Sequence, residues 1–166
     1  MYLAMAIKSN ANTHRPEDYP YEHGLAFLLR DNYRYFSRRL QIHLERHGSS
    51  LPQWYFLRVL AGQDGLSQKE LSDRVGVLAP GTVTALNKLQ SKGWIERQPH
   101  PSDKRKSNVY LSKEGRRLVR SLLPEAIKSN NVALEILTEE QMEQLRELLI
   151  LLRAGMQKKS IDGDIS

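Results

Sequence analysis

The stretch from Ser67 to Leu111 has fewer ways to fold than any other part of this chain. Two short helical segments flank a single glycine, Gly76, and two short apolar-rich segments follow around a basic turn. The first segment opens with Ser67-Gln68-Lys69-Glu70, the S-x-x-E arrangement in which the serine and glutamate satisfy each other's free backbone N–H groups. Leu71 and Val75 continue it. Pro80 suits the first turn of a second helix, whose Leu86 and Leu89 lead to Gly93, a natural C-cap. Helices this short are marginal in water by themselves. They must pack on each other, and the tight glycine turn between them makes a helix-turn-helix. Trp94–Arg97 and Asn108–Leu111 then read as two strands, joined by PHPSDKRKS. Together they predict a β-hairpin with Lys104, Arg105 and Lys106 at its tip.

The flanks read as helices. The chain has 166 residues, a length suited to one domain with long appended helices. Residues 1–23 carry Pro16 and Pro20, lack a helical period and are expected to be an extended arm. From Leu25, apolar residues recur at three- and four-residue steps through Leu29, Tyr33, Phe36 and Leu40, with Arg30, Arg34 and Arg38 on the opposite stripe. Gly48 ends that helix. Ser50 and Gln53 form an S-x-x-Q capping box before Trp54, Leu57, Val59 and Leu60, and Gly62 and Gly65 bracket a loop. Beyond the hairpin, Ser112 caps a helix that Pro124 is expected to kink or split. Thr138 and Gln141 form another capping box. Leu145, Leu148, Leu149, Leu152 and Met156 then make a continuous apolar stripe. A monomer would expose that stripe as a patch of the kind soluble monomers avoid, so a homodimer is expected.

Charge singles out the same central block. Residues 1–65 carry a net +2, residues 66–117 a net +6, and residues 118–166 a net −2. A basic module between near-neutral flanks is the footprint of a phosphate-backbone binder. Cysteine is absent, which excludes a disulfide scaffold and a thiol nucleophile. No apolar run approaches the roughly 20 residues of a membrane span, and the N-terminus lacks the basic start of a signal peptide. The expected location is cytoplasmic. No G-x-S-x-G elbow, glycine-rich phosphate loop or H-E-x-x-H motif is present, so no enzyme and no cofactor are expected.

The segment GWIERQPHPSDKRKSNVYLSKEGR, Gly93 to Arg116, resembles the wing of MarR-type winged-helix transcriptional regulators. Asp103 and Arg105 stand at the D-x-R of that signature, and Leu111-Ser112 at the end of its second strand. The order of helices before and after also matches, over roughly residues 25–158. The resemblance implies a mostly α fold with a small β-hairpin wing, a winged helix-turn-helix with long terminal dimerisation helices. The expected divisions are an arm at 1–23, a winged-helix domain at 24–158 and a tail at 159–166. Within the domain, the DNA-binding lobe spans about 50–112 and the dimerisation helices about 24–48 and 112–158. The resemblance also implies a homodimeric repressor whose operator affinity is altered by a small ligand between the lobes. In one place the sequence departs from the pattern. Aligned without gaps, the usual Thr-Val-Thr-Arg falls on Gly81 to Thr84 and puts Thr84 where Arg is expected. A slip of one residue instead puts Thr82-Val83-Thr84 in register.

Candidate contacts follow from chemistry. The helix from Pro80 to Lys92 is expected in the major groove of double-stranded DNA, at a pseudo-palindromic operator. Gly81, Thr84, Asn87 and Lys88 lie on its exposed side, and Thr82 joins them in the slipped register. Asn pairs with adenine, Thr meets a thymine methyl, and Lys reaches guanine or phosphate. Ser67, Gln68 and Lys69 open the preceding helix, where free N–H groups take a phosphate. Arg105 is the expected minor-groove residue, Asp103 is placed to orient it, and Lys104 and Lys106 flank it. Arg30, Tyr33, Arg34, Phe36, Arg38, Trp54, Tyr55 and Arg58 are candidates for an effector pocket. Aromatic faces and guanidinium groups suit an aromatic acid or its coenzyme A thioester, although core packing and surface ion pairs compete for these residues. His43 and His47, four apart on one helix, offer a weaker alternative, a metal-responsive regulator. A third reading is a winged-helix interaction module without a DNA function.

Overall fold

The computed structural model describes residues 21–100 and 103–161, with backbone alone at residues 100, 103–106 and 159–161. A short 3-10 helix at Tyr21–His23 leads into α1 (Leu25–Arg46), α2 (Leu51–Gly62), β1 (Leu66–Ser67), α3 (Gln68–Val75) and α4 (Ala79–Ser91). Strands β2 (Ile95–His100) and β3 (Asp103–Leu111) follow, then α5 (Lys113–Asn131), a 3-10 helix at Val132–Glu135 and α6 (Glu139–Ile161). The architecture is the expected one, mostly helical with a small antiparallel sheet. The chain divides into two compact units after Leu122. Among the described residues no helix is long and apolar enough to cross a membrane.

The core of the first unit is built on α2. Phe56, Leu57 and Leu60 are essentially solvent-free, as are Leu71 of α3, Leu86 and Leu89 of α4, Ile95 of β2 and Val109 of β3. Burial of each such side chain stabilises by about 1.5–3 kcal/mol before entropy is counted. The sheet has the order β1-β3-β2. Leu66 pairs with Val109 and Ser67 with Asn108, while Ile95 pairs with Leu111 and Arg97 with Val109. The two-residue β1 was not expected, because nothing local marks it and only pairing with β3 makes it a strand. Both hairpin strands run further toward the turn than their apolar residues indicated. The backbone ladder continues through Pro99–Ser107, with an irregularity at Pro99/His100.

Most of the helix ends follow the sequence. Ser67 caps α3 in a complete capping box with Glu70. Ser112 Oγ accepts from Gly115 N at 3.0 Å. Thr138 Oγ1 accepts from Gln141 N at 3.2 Å, and Gln141 Oε1 from Thr138 N at 3.0 Å. The Ser50–Gln53 box does not form. Ser50 is the N-cap of α2, but its side chain makes no capping bond. Gln53 is buried and its Oε1 instead accepts from Lys92 Nζ at 3.3 Å, while Leu51 N donates to Gln41 Oε1 at 3.2 Å. A partner from α4's end has drawn Gln53 away from the local motif. The expected split at Pro124 is also absent, since α5 continues through it to Asn131. Pro124 is exposed, so solvent can take the carbonyl of Arg120 that the proline leaves without a donor. At the C-terminal end, α6 extends to Ile161, into the stretch expected to be tail.

The wing base is clamped twice. Asp64 Oδ1 accepts from Leu111 N at 2.8 Å, and Oδ2 pairs with Arg116 of α5. The start of α5 then packs directly on the residue preceding β2. Trp94 O accepts from Ser112 N at 3.1 Å, and a Cβ on Gly115 would lie 2.0 Å from that same oxygen. Only a glycine permits this approach. Between α1 and α2, the Tyr33 and Tyr55 hydroxyls meet at 3.2 Å. Burial, reinforced by the Tyr33 hydroxyl beside it, pushes the Tyr55 phenol well above its ordinary pKa.

Two consequences are measurable. Gly115→Ala is expected to lower the unfolding free energy by about 3 kcal/mol, because the backbone of Trp94 must move to admit one methyl. A urea midpoint equal to wild type would show that the junction relaxes freely. The raised Tyr55 pKa works in alkali: above the unfolded phenol pKa of about 10, the unfolded chain loses this proton before the folded one does. Stability contributed by the protonated Tyr55 is therefore complete below pH 10 and falls as pH rises toward the folded value. Tyr55→Phe is expected to flatten the alkaline decline in thermal midpoint.

Candidate nucleic-acid interface

The α3–α4 turn is organised around one carbonyl. Gly76 adopts φ +72° and ends α3, a conformation that glycine supplies without strain. Val77 O then accepts from Ser72 Oγ at 2.5 Å and from Thr82 Oγ1 at 3.2 Å. Thr82 Oγ1 also lies 3.3 Å from Leu78 O, and the residue is solvent-free. Thr82, predicted as a DNA contact in the slipped register, therefore faces the turn and cannot reach a base from this position. Its hydroxyl seats α4 against α3.

The other α4 candidates are exposed as expected: Gly81, Thr84, Asn87 and Lys88 share the solvent side. Thr84 Oγ1 donates to Pro80 O at 3.1 Å, so its donor is engaged and the methyl and oxygen lone pairs remain for a ligand. Asn87 Oδ1 accepts from Arg97 Nη2 of β2 at 2.9 Å, leaving one lone pair and the amide N–H groups. Arg97 was not among the predicted residues. Its place opposite Asn87 depends on how β2 packs against α4, for which no local signal exists. The helix contains no arginine, and Lys88 is the one cation within it. Lys88 makes no ion pair among the described residues.

At the start of α3, Ser67 is occupied by its cap. Its Oγ donates to Glu70 Oε2 at 2.6 Å, and its backbone N–H donates to the same carboxylate at 2.8 Å. The N–H groups of Gln68 and Lys69 precede the first intrahelical bonds and remain able to take an anion. On the wing, Asp103, Lys104, Arg105 and Lys106 are placed on β3 by its backbone; their side chains lie outside the described residues, as does the turn at 101–102.

The candidate effector residues separate into two groups. Trp54 is 3% exposed and belongs to the core, so it does not line a pocket. Arg58 lies 5.8 Å from the Trp54 ring, Arg30 lies 4.8 Å from the ring of Phe27, and Arg34 pairs with Asp31 at 2.7 Å. Tyr33, Phe36, Arg38 and Tyr55 stay at least partly accessible along α1 and α2. Of the histidines, His47 Nδ1 sits 3.0 Å from His43 O. Among the described residues, no three His, Asp or Glu side chains gather where they could hold a metal.

A model of the MarR family matches residues 47–106, from the end of α1 through the basic stretch of the wing. The transcriptional regulator MhqR of Bacillus subtilis is 24% identical over 81% of this chain and 92% of its own length. The homoprotocatechuate degradative operon repressor of Escherichia coli is 26% identical over 73% of this chain and 83% of its own. A probable transcriptional regulator from Pseudomonas aeruginosa superposes with a TM-score of 0.73 at 27% identity, covering 80% of this chain and 98% of that one. The S. aureus MepR–DNA complex shares the fold at a TM-score of 0.75 and 24% identity, over 81% of this chain and 99% of that one. The similarity spans both the helix-turn-helix with its wing and the long helices around it, and over residues 47–106 the chain matches the MarR family of transcriptional regulators.

Proposed function

We propose that this regulator is a homodimeric repressor that grips a pseudo-palindromic duplex operator with α4 and the wing, and lets go when a small aromatic acid or its coenzyme A thioester binds along α1 and α2. The observation that carries the DNA reading is the row Gly81, Thr84, Asn87 and Lys88, presented by a helix whose other side is locked to α3 and whose flank is braced by Arg97. A rigid, polar helix beside a basic hairpin suits base edges on one side and phosphates on the other. Arg105, Lys104 and Lys106, with Asp103 beside them, are assigned to the wing's contact with the minor groove. Gln68 and Lys69 at the start of α3 are assigned to a phosphate, while Ser67, predicted with them, has both its donors held by Glu70.

Dimerisation is supported by what the long helices leave open. On α6, Leu148 is 63% and Leu151 70% exposed, and Leu145, Leu149, Ile150 and Met156 are also exposed. On α1, Leu25, Leu28, Leu29 and Ile42 face solvent in the same way. A second copy supplies the same surfaces, and two-fold association would place two copies of α4 for two operator half-sites. The effector reading rests on Tyr33, Phe36, Tyr55 and Arg38, which combine aromatic surface with a cation. A relative named as the repressor of a homoprotocatechuate degradative operon supports both repression and an aromatic acid. Such a ligand can release DNA only by binding more tightly to a spacing of the DNA-binding lobes that the operator does not fit.

Three experiments test these assignments. Sedimentation velocity at micromolar concentration is expected to give twice the 19.1 kDa chain mass, and a Leu148→Glu/Leu151→Glu double variant is expected to shift toward monomer. A stable wild-type monomer would remove the dimer. The slope of log affinity against log salt for a duplex selected from a random pool is expected near −0.9 per neutralised phosphate, and Lys88→Ala is expected to make it shallower by about one unit if Lys88 meets phosphate. Affinity that is flat with salt would count against DNA binding. Calorimetry across aromatic acids and their coenzyme A thioesters is expected to find a ligand that lowers duplex affinity; silence from every member would overturn the effector class.

A further inference from the structure

Beside α4, an open groove of about 830 Å3 separates this helix from the start of α2. Its lining includes Ser49, Ser50, Gln53, Thr84, Lys88 and Lys92, and no carboxylate. Three features point to an anion. Ser50 caps α2 without using its hydroxyl, so the first turn of a 12-residue helix keeps an open N–H at Gln53. Gln53 itself is 5% exposed, and its Oε1 is held by Lys92, which turns the donor end of the amide free for a ligand. Independently, Ser49 is 5% exposed and its Oγ is buried without a hydrogen-bond partner. A buried hydroxyl left unsatisfied costs about 1–3 kcal/mol, and Ser49 is one of the residues that line this groove.

We propose that this groove is a phosphate site, occupied in the working complex by a backbone phosphate of the DNA strand that borders the major groove entered by α4. The assignment rests on the DNA-binding reading above and deepens it. The groove runs beside the α4 positions Gly81, Thr84 and Lys88, so a strand edge seated there would be continuous with the bases that α4 faces. The volume suits a sugar-phosphate segment, which is larger than a lone phosphate. Lys88 supplies a cation at the rim that makes no ion pair among the described residues. Lys92 is tied to Gly48 O and Gln53 Oε1 and orients the floor. A phosphate accepts from the Ser49 hydroxyl, the Ser50 hydroxyl and the Gln53 N–H groups together, which is the donor-rich geometry that charge-assisted hydrogen bonds need.

The test uses Ser49→Ala and Ser50→Gly in the full chain; glycine keeps a serviceable N-cap while removing the hydroxyl. The DNA is a duplex selected by the wild-type protein, with backbone phosphates replaced one at a time by neutral methylphosphonates. Wild type is expected to lose about tenfold in affinity at one phosphate per half-site. Ser49→Ala is expected to bind the unmodified duplex about as weakly and to be insensitive to neutralisation at that phosphate. Its thermal midpoint should equal or exceed wild type, because an unsatisfied hydroxyl is gone; a purely structural role for Ser49 would lower it. In parallel, inorganic phosphate is titrated at constant ionic strength while the amide resonances of Ser50 and Gln53 are followed without DNA. Shifts there that are lost in Ser49→Ala, with a flat methylphosphonate scan, assign the site to a free phosphate-bearing molecule. Identical scans for wild type and both variants, with unmoved amides, overturn the proposal. If no duplex is bound at all, the DNA reading fails by itself and the phosphate titration still decides the site.

Discussion

The orientation of α4 rests on the carbonyl of Val77. Two hydroxyls converge on it, Ser72 from α3 and Thr82 from α4, at a turn that Gly76 makes possible. Hydrogen bonds of this kind contribute about 1 kcal/mol each, which is small against the hydrophobic core. Their importance lies in direction. Leu71, Leu86 and Leu89 hold the two helices together and turn the apolar face of α4 inward. The paired hydroxyls add directional bonds on that same face, so that Gly81, Thr84, Asn87 and Lys88 face outward while Thr82 faces in.

The wing depends on that platform through a second set of polar ties. Asp64 reaches from the loop before β1 to Leu111 N and Arg116, and Trp94 O receives Ser112 N under the close approach of Gly115. Arg97 then connects β2 to Asn87 of α4. Helix, strand and the start of α5 are thereby held as one piece, which suits the proposed contact with a duplex, since pre-organised side chains lose less entropy on binding. The long helices contrast with this: α1 and α6 display apolar side chains that a single chain leaves in solvent. The first unit buries a core of its own, while these exposed side chains are the observation behind the proposed homodimer.

Much of this was legible in the sequence because the signals are local. Ser67 with Glu70, Thr138 with Gln141, Gly93 after Leu89, and the basic segment between Trp94 and Leu111 each act over a few residues, where propensity and capping chemistry dominate. They determined the helix-turn-helix, the hairpin, the apolar stripe of α6 and the family resemblance. Tertiary structure decided the rest. Ser50 and Gln53 have the spacing of a capping box, yet Lys92, 39 residues away along the chain, claims Gln53 instead. The two-residue β1 exists only through β3. Trp54 is a pocket candidate for which core packing competes, and burial places it in the core. Thr82 and Thr84 are two residues apart, but a helix rotates about 100° per residue, so one meets the turn and the other solvent. The reach of Arg97 to Asn87 and the unsatisfied hydroxyl of Ser49 likewise depend on which elements are brought side by side, and no pattern within either segment encodes that.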